Sequence, residues 1–121
     1  MEQAFYQPTV MTNVTAHSRV AKEEIFGTVL PVMCFESDDE AIAMANSTDA
    51  RLAAYAYTLN DTRAANLSNA LAFGVVGIND PRPVTWEAPF GGAGISGIGR
   101  EGGREGMMDF LEPRTVGYRI A

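Results

Sequence analysis

Cysteine and histidine are nearly missing from this chain, with Cys34 and His17 standing alone among 121 residues. A lone cysteine excludes an internal disulfide, which agrees with a reducing compartment, and no metal site is expected. Basic charge is scarce too: nine Lys and Arg against fifteen Asp and Glu give a formal net charge of −6. Those cations are scattered, so nothing offsets the repulsion of a phosphate backbone and nucleic-acid binding is excluded. No apolar run approaches the roughly eighteen to twenty residues that span a bilayer. The start, MEQAFYQPTV, carries neither the basic nor the apolar region of a signal peptide. A soluble, cytoplasmic chain without a membrane partner is expected, large enough for one core or for part of a larger domain.

What the chain does have is glycine in one place. Residues 89 to 103 read PFGGAGISGIGREGG and hold seven of the twelve glycines. Glycine is costly to order and packs nothing of its own, so this density implies close backbone approach or repeated positive φ. Two overlapping stretches, Gly92 to Gly97 and Gly97 to Gly102, match G-x-G-x-x-G. A dinucleotide fingerprint also needs a strand running into the first glycine and a helix opening on the third. Thr85-Trp86-Glu87-Ala88-Pro89 precedes the run instead, and no acidic residue closes a second strand about twenty residues on. A tight structural loop beside a pocket is the expected reading.

The rest of the chain alternates. Phe5 to Val14 is β-prone, and Pro8 limits it to an edge or an irregular extended segment. Val29 to Phe35 (VLPVMCF) reads as a buried strand. Ser37 and Glu40 form a capping box that opens a helix to about Asn46, with Ala41, Ile42, Met44 and Ala45 facing inward. Leu52 to Leu59 reads as a second strand. Asp61 or Thr62 starts a second helix with Ala64, Leu67 and Leu71 on one stripe, and Gly74 is placed to end it in the left-handed conformation. Val75 to Asn79 is apolar and predicts a third strand covered on both faces. Arg104 to Leu111 predicts a short helix before Pro113, and Thr115 to Ile120 (TVGYRI) a last strand. Strand, helix, strand, helix, strand with short links implies an α/β fold, βαβαβ around a parallel sheet. Ligands then gather beyond the carboxyl ends of the strands, near Asn60, Asn79 and residues 80 to 92.

Three of these segments, AKEEIFG at Ala21 to Gly27, VVGIN at Val75 to Asn79, and PFGG with SGIGREGG between Pro89 and Gly103, resemble in order and spacing the C-terminal part of an NAD(P)-dependent aldehyde dehydrogenase. The resemblance runs from Phe5 to the end, and the acidic-aldehyde branch, including succinate semialdehyde dehydrogenases, is nearest in flavour. It implies that residues 1–112 form part of the catalytic domain and residues 113–121 the terminal strand of an oligomerisation element, so that TVGYRI would seek a second copy of the chain.

Roles for single residues follow from the same resemblance. Glu24 would accept hydrogen bonds from the nicotinamide ribose hydroxyls and Phe26 would pack on that ribose, where residue type alone makes one a surface charge and the other a core ring. Phe90 would line the aldehyde tunnel and residues 80 to 87 shape its mouth. Arg82 in that loop can attract a substrate carboxylate by a bidentate pair, although a loop arginine is more often simply solvated. Thr28 stands where the family has proline and Ala93-Gly94 where a lysine is common, so contacts of that lysine do not transfer.

No catalytic residue is expected within the chain. Aldehyde oxidation in the family needs a cysteine thiolate, hydride transfer to the nicotinamide and a glutamate base, and the resemblance puts nucleophile, base and dinucleotide domain upstream of residue 1. Cys34 in its apolar run reads as a buried, inert hydrophobe, and His17 as a solvated loop residue. An Arg100–Glu112 ion pair is expected to fasten the glycine loop to the terminal strand. Three functions stay open: a segment of an aldehyde-oxidising oxidoreductase, which is preferred, a freestanding nucleotide-binding module, and a noncatalytic interaction subunit.

Overall fold

The computed structural model describes residues 5–120. The chain divides into two compact units, Met1–Thr48 and Asp49–Ala121, and each is described by itself.

In the first unit β1 (Thr9–Met11) pairs in parallel with β2 (Val29–Pro31), Thr9 opposite Val29 and Met11 opposite Pro31. A short helix, α1 (Arg19–Lys22), lies between them. Pro8 ends just before the ladder starts, so the missing amide costs no bond there, and Thr9 N donates to the Thr28 carbonyl at 2.9 Å. Only the first three residues of VLPVMCF hold strand geometry. Helix α2 (Asp38–Ala45) starts at the expected cap: Ser37 Oγ accepts from Glu40 N at 3.2 Å. The Glu40 carboxylate reaches back one residue further than in a standard capping box, accepting from Glu36 N at 2.7 Å. Ala41, Ile42, Met44 and Ala45 are half-buried, as their stripe predicts.

The second unit carries the strand–helix–strand element of the sequence. Here β4 (Ala53–Ala56) pairs in parallel with β5 (Val75–Ile78) around α3 (Asp61–Ala70), while the short β3 (Ala50–Arg51) pairs antiparallel with β6 (Ala93–Gly94). Asn60 caps α3, its side-chain oxygen accepting from Arg63 N at 2.8 Å, and Ala64, Leu67 and Leu71 are half-buried. A six-residue helix, α4 (Gly103–Met108), follows the glycine run. The fold class is thus mixed α/β with parallel strand pairs. In place of an expected single run of three parallel strands, the described residues of each unit hold one parallel pair, β1 with β2 and β4 with β5.

Four further expectations change. Gly74 does not close α3 in the left-handed region: the helix ends at Ala70, Leu71 follows with φ −75° and ψ 113°, and Gly74 is not among the positive-φ residues. A Cβ at Gly74 would overlap the Gly91 carbonyl oxygen, so the glycine serves close approach of two backbones. Thr115 to Ile120 forms no strand, since it has no ladder partner among the described residues. Cys34 is exposed, lying past the end of β2 where the apolar run leaves the ladder. Phe26, offered a core position by its type, stands 95% exposed.

Among the described residues no hydrophobic side chain is buried, and the three buried residues, Gly77, Gly92 and Gly106, are all glycines. Full burial here comes from main chain meeting main chain, while the described apolar side chains are at most half-buried. Also among the described residues, no helix is long and apolar enough to cross a membrane.

Candidate functional site

In the first unit the segment between α1 and β2 carries Glu24 and Phe26. Arg19 and Glu23 form a two-pronged pair, Nε to Oε1 and Nη2 to Oε2, both at 2.8 Å. The guanidinium holds the Glu23 carboxyl below the usual carboxylate range, and the carboxylate raises the Arg19 guanidinium in turn. Neighbouring Glu24 is exposed and makes no side-chain hydrogen bond with the described residues; it borders an open cleft of about 370 Å³ with Tyr6, Met11 and Val20. Phe26 has φ +43°, rare for a bulky residue, and holds its ring out into solvent. A free carboxylate that can accept and an exposed ring two residues apart are suited to vicinal hydroxyls on a sugar with an apolar face.

The second unit carries Phe90 and Arg82. Phe90 and Glu101 form a two-bond antiparallel bridge, Phe90 N to Glu101 O and Glu101 N to Phe90 O, both at 2.7 Å. Phe90 is half-buried and lines a cleft of about 340 Å³ with Leu52, Ser96, Arg100 and Asp109. Arg82 is exposed; its backbone N–H donates to Asp80 Oδ1 at 2.8 Å, which sets the turn, and its guanidinium stays in solvent. Glu24 and Phe26 thus share one short segment of the first unit, whereas Arg82 is not among the residues that line the Phe90 cleft of the second.

The glycine run is no phosphate cradle. Gly91 and Gly92 lie outside any strand, the residues after Gly94 are turn, and no strand runs into either match. Gly94, Gly97, Gly102 and Gly103 have φ of +60°, +124°, +67° and +58°, so the sequence's demand for positive φ is met four times over. Gly103 N donates to the Trp86 carbonyl at 2.8 Å and Ser96 Oγ accepts from Arg51 N at 2.7 Å, which tie the run to the loop before it and to β3.

The model described as "Aldehyde dehydrogenase family" matches residues 1–116. The chain belongs to the aldehyde dehydrogenase family. Among its relatives in that family, the 3-sulfolactaldehyde dehydrogenase of Pseudomonas putida is 44% identical over 113 residues, covering 93% of this chain and 23% of that protein. The NADP(+) succinate-semialdehyde dehydrogenase of Escherichia coli strain K12 is 44% identical over 108 residues, 89% of this chain and 22% of the relative. A crystal structure of betaine aldehyde dehydrogenase from Staphylococcus aureus in complex with NAD+ matches with a TM-score of 0.85 at 42% identity, over 89% of this chain and 21% of that one. The chain therefore spans between a fifth and a quarter of each of these three proteins.

Three residues organise the second unit in ways that sequence reasoning does not reach: it points Asn79 and Arg100 to other roles and Asp109 to none. Asn79, at φ +56°, donates Nδ2 to the Thr58 carbonyl and accepts from Thr58 N through Oδ1, both at 2.8 Å, tying the end of β5 to the residues after β4. Asparagine's tolerance of the left-handed region, directly after VVGI, was the available signal. Arg100 was assigned to Glu112, but its Nη1 donates to the Gly92 carbonyl at 2.9 Å and to the Gly99 carbonyl at 2.8 Å. Asp109 accepts from Arg100 N at 2.8 Å. A loop without side chains exposes its carbonyls, and a neighbouring guanidinium with five donors finds them first.

Proposed function

We infer that this chain is a segment, from the C-terminal part, of an NAD(P)-dependent aldehyde dehydrogenase that oxidises an aldehyde to a carboxylic acid. In this reading Glu24 accepts from the nicotinamide-ribose hydroxyls, Phe26 packs on that ribose, and Phe90 forms one wall of the aldehyde tunnel. The nicotinamide cofactor, when bound, supplies the acceptor for hydride. The thiolate that adds to the carbonyl and the base that activates water for thioester hydrolysis lie on other segments of the enzyme. What carries the reading is the pairing of an unengaged Glu24 carboxylate with the outward Phe26 ring inside a family match over nearly the whole chain. Arg82, exposed in the loop after β5, suits an aldehyde that bears a carboxylate. Val116, Tyr118 and Ile120 alternate along an exposed segment, which supports homo-oligomer formation by strand addition onto a second copy.

The test is a hybrid in which residues 5–116 replace the matching segment of the Escherichia coli relative. It should form reduced cofactor with succinate semialdehyde, and Glu24→Gln should raise KM for the cofactor about tenfold with a smaller change for the aldehyde. An active hybrid whose cofactor KM ignores Glu24→Gln removes the ribose assignment. The 121-residue chain alone should give no turnover; activity that disappears with Cys34→Ala would overturn the placement of the nucleophile elsewhere.

A further inference from the structure

We propose that Arg100 and Asp109 are positioning residues that set the aldehyde-facing wall by clasping the loop behind Phe90; this rests on the tunnel reading of Phe90. Three observations converge on the loop. The Phe90–Glu101 bridge closes residues 91 to 100 into a ring with two bonds of 2.7 Å. Inside that ring the Arg100 guanidinium gathers the Gly92 and Gly99 carbonyls on one nitrogen, fixing the chain directly after Phe90 to the chain directly before Glu101. Asp109, beyond α4, then holds the Arg100 backbone N–H from outside.

The glycines make this arrangement possible. A Cβ at Gly91 would stand 2.6 Å from the Gly99 carbonyl oxygen and 2.8 Å from Arg100 Cδ, and one at Gly99 would stand 2.7 Å from Asp109 Oδ2. Both positions therefore exclude side chains because the clasp occupies their space. No apolar packing substitutes for it, since among the described residues none of the hydrophobic side chains is buried. Phe90 itself bonds to the Glu101 main chain, while the loop behind it is held by two charged groups, the Arg100 guanidinium and the Asp109 carboxylate, whose bonds are stronger than those of neutral partners.

Two measurements decide it. In the full 121-residue chain, Arg100→Met and Asp109→Ala should each speed amide exchange at Phe90 and Glu101 roughly tenfold, leaving Val75 and Asn79 unchanged. Asp109→Asn, which keeps an acceptor oxygen, should restore most of the protection. In the hybrid enzyme, Arg100→Met should raise KM for the aldehyde about tenfold while kcat and cofactor KM stay within about twofold. Unchanged exchange at Phe90 and Glu101, or an equal change in β5, overturns the clasp. Faster exchange at those two amides with an unmoved aldehyde KM leaves the clasp standing and overturns the tunnel assignment of Phe90.

Discussion

Between Ala53 and Ile78 a ladder of parallel hydrogen bonds and a capped helix set the geometry, whereas at Gly91 and Gly92 main chain packs so closely that a side chain would not fit. The first stretch tolerates change in proportion to what each side chain contributes. The second tolerates little at Gly91 and Gly92, where an added Cβ meets main-chain carbonyls that cannot move alone. The two stretches meet at Gly74, where the end of the helical connection lies under Gly91.

That contact should show the largest effect. Gly74→Ala forces its methyl into the Gly91 carbonyl and should cost about 3 kcal/mol, read as a drop in the denaturant midpoint of the chain. A loss below about 1 kcal/mol, no more than an ordinary helix substitution such as Ala65→Gly, would erase the distinction between the regions. Gly97→Ala separates strain from crowding, since φ is +124° there and nothing lies within 4 Å. It should cost about 1–2 kcal/mol, from backbone strain alone. Asn60→Ala tests the other region: losing the α3 cap should cost about 1 kcal/mol, with the change in circular dichroism confined to helix. A cost equal to that of Gly74→Ala would mean that both stretches are equally brittle.

The smallest effect lies outside both. Arg19 depresses the Glu23 carboxyl, so the pair's contribution to α1 is full above the unfolded carboxylate pKa and is lost as pH falls through the lower folded value. Both side chains are solvated, and salt screens the pair. Titrating the Glu23 carboxyl carbon by NMR should give a midpoint below that of Arg19→Gln; coincident midpoints would remove the pair from solution.

Elements set by local chemistry were legible. Ser37 announces a helix because its oxygen satisfies an amide three residues on, and the apolar stripe on α3 follows from its period, whereas the sequence marks Asn60, the α3 cap, only as a residue near a pocket. Gly74 was misread because one letter serves two purposes, positive φ and close approach, and only the distant Gly91 backbone tells them apart. The same distance hid the Arg100 clasp: the guanidinium prefers carbonyls that glycines leave bare over a carboxylate twelve residues on. TVGYRI reads as a strand from composition, yet a strand is a relation between two segments, and the described chain holds one of them. Cys34 followed from treating an apolar run as covered when this chain leaves its faces open.

Trp86, the one tryptophan, gives the chain a built-in optical readout. Its carbonyl anchors Gly103, its indole N–H donates to the Glu87 carboxylate, and its ring is 84% exposed. An indole so placed should emit at long wavelength in the free chain and shift to the blue once other protein covers the loop. A single emission spectrum, taken without substrate or cofactor, would then report whether the glycine run has found its surroundings.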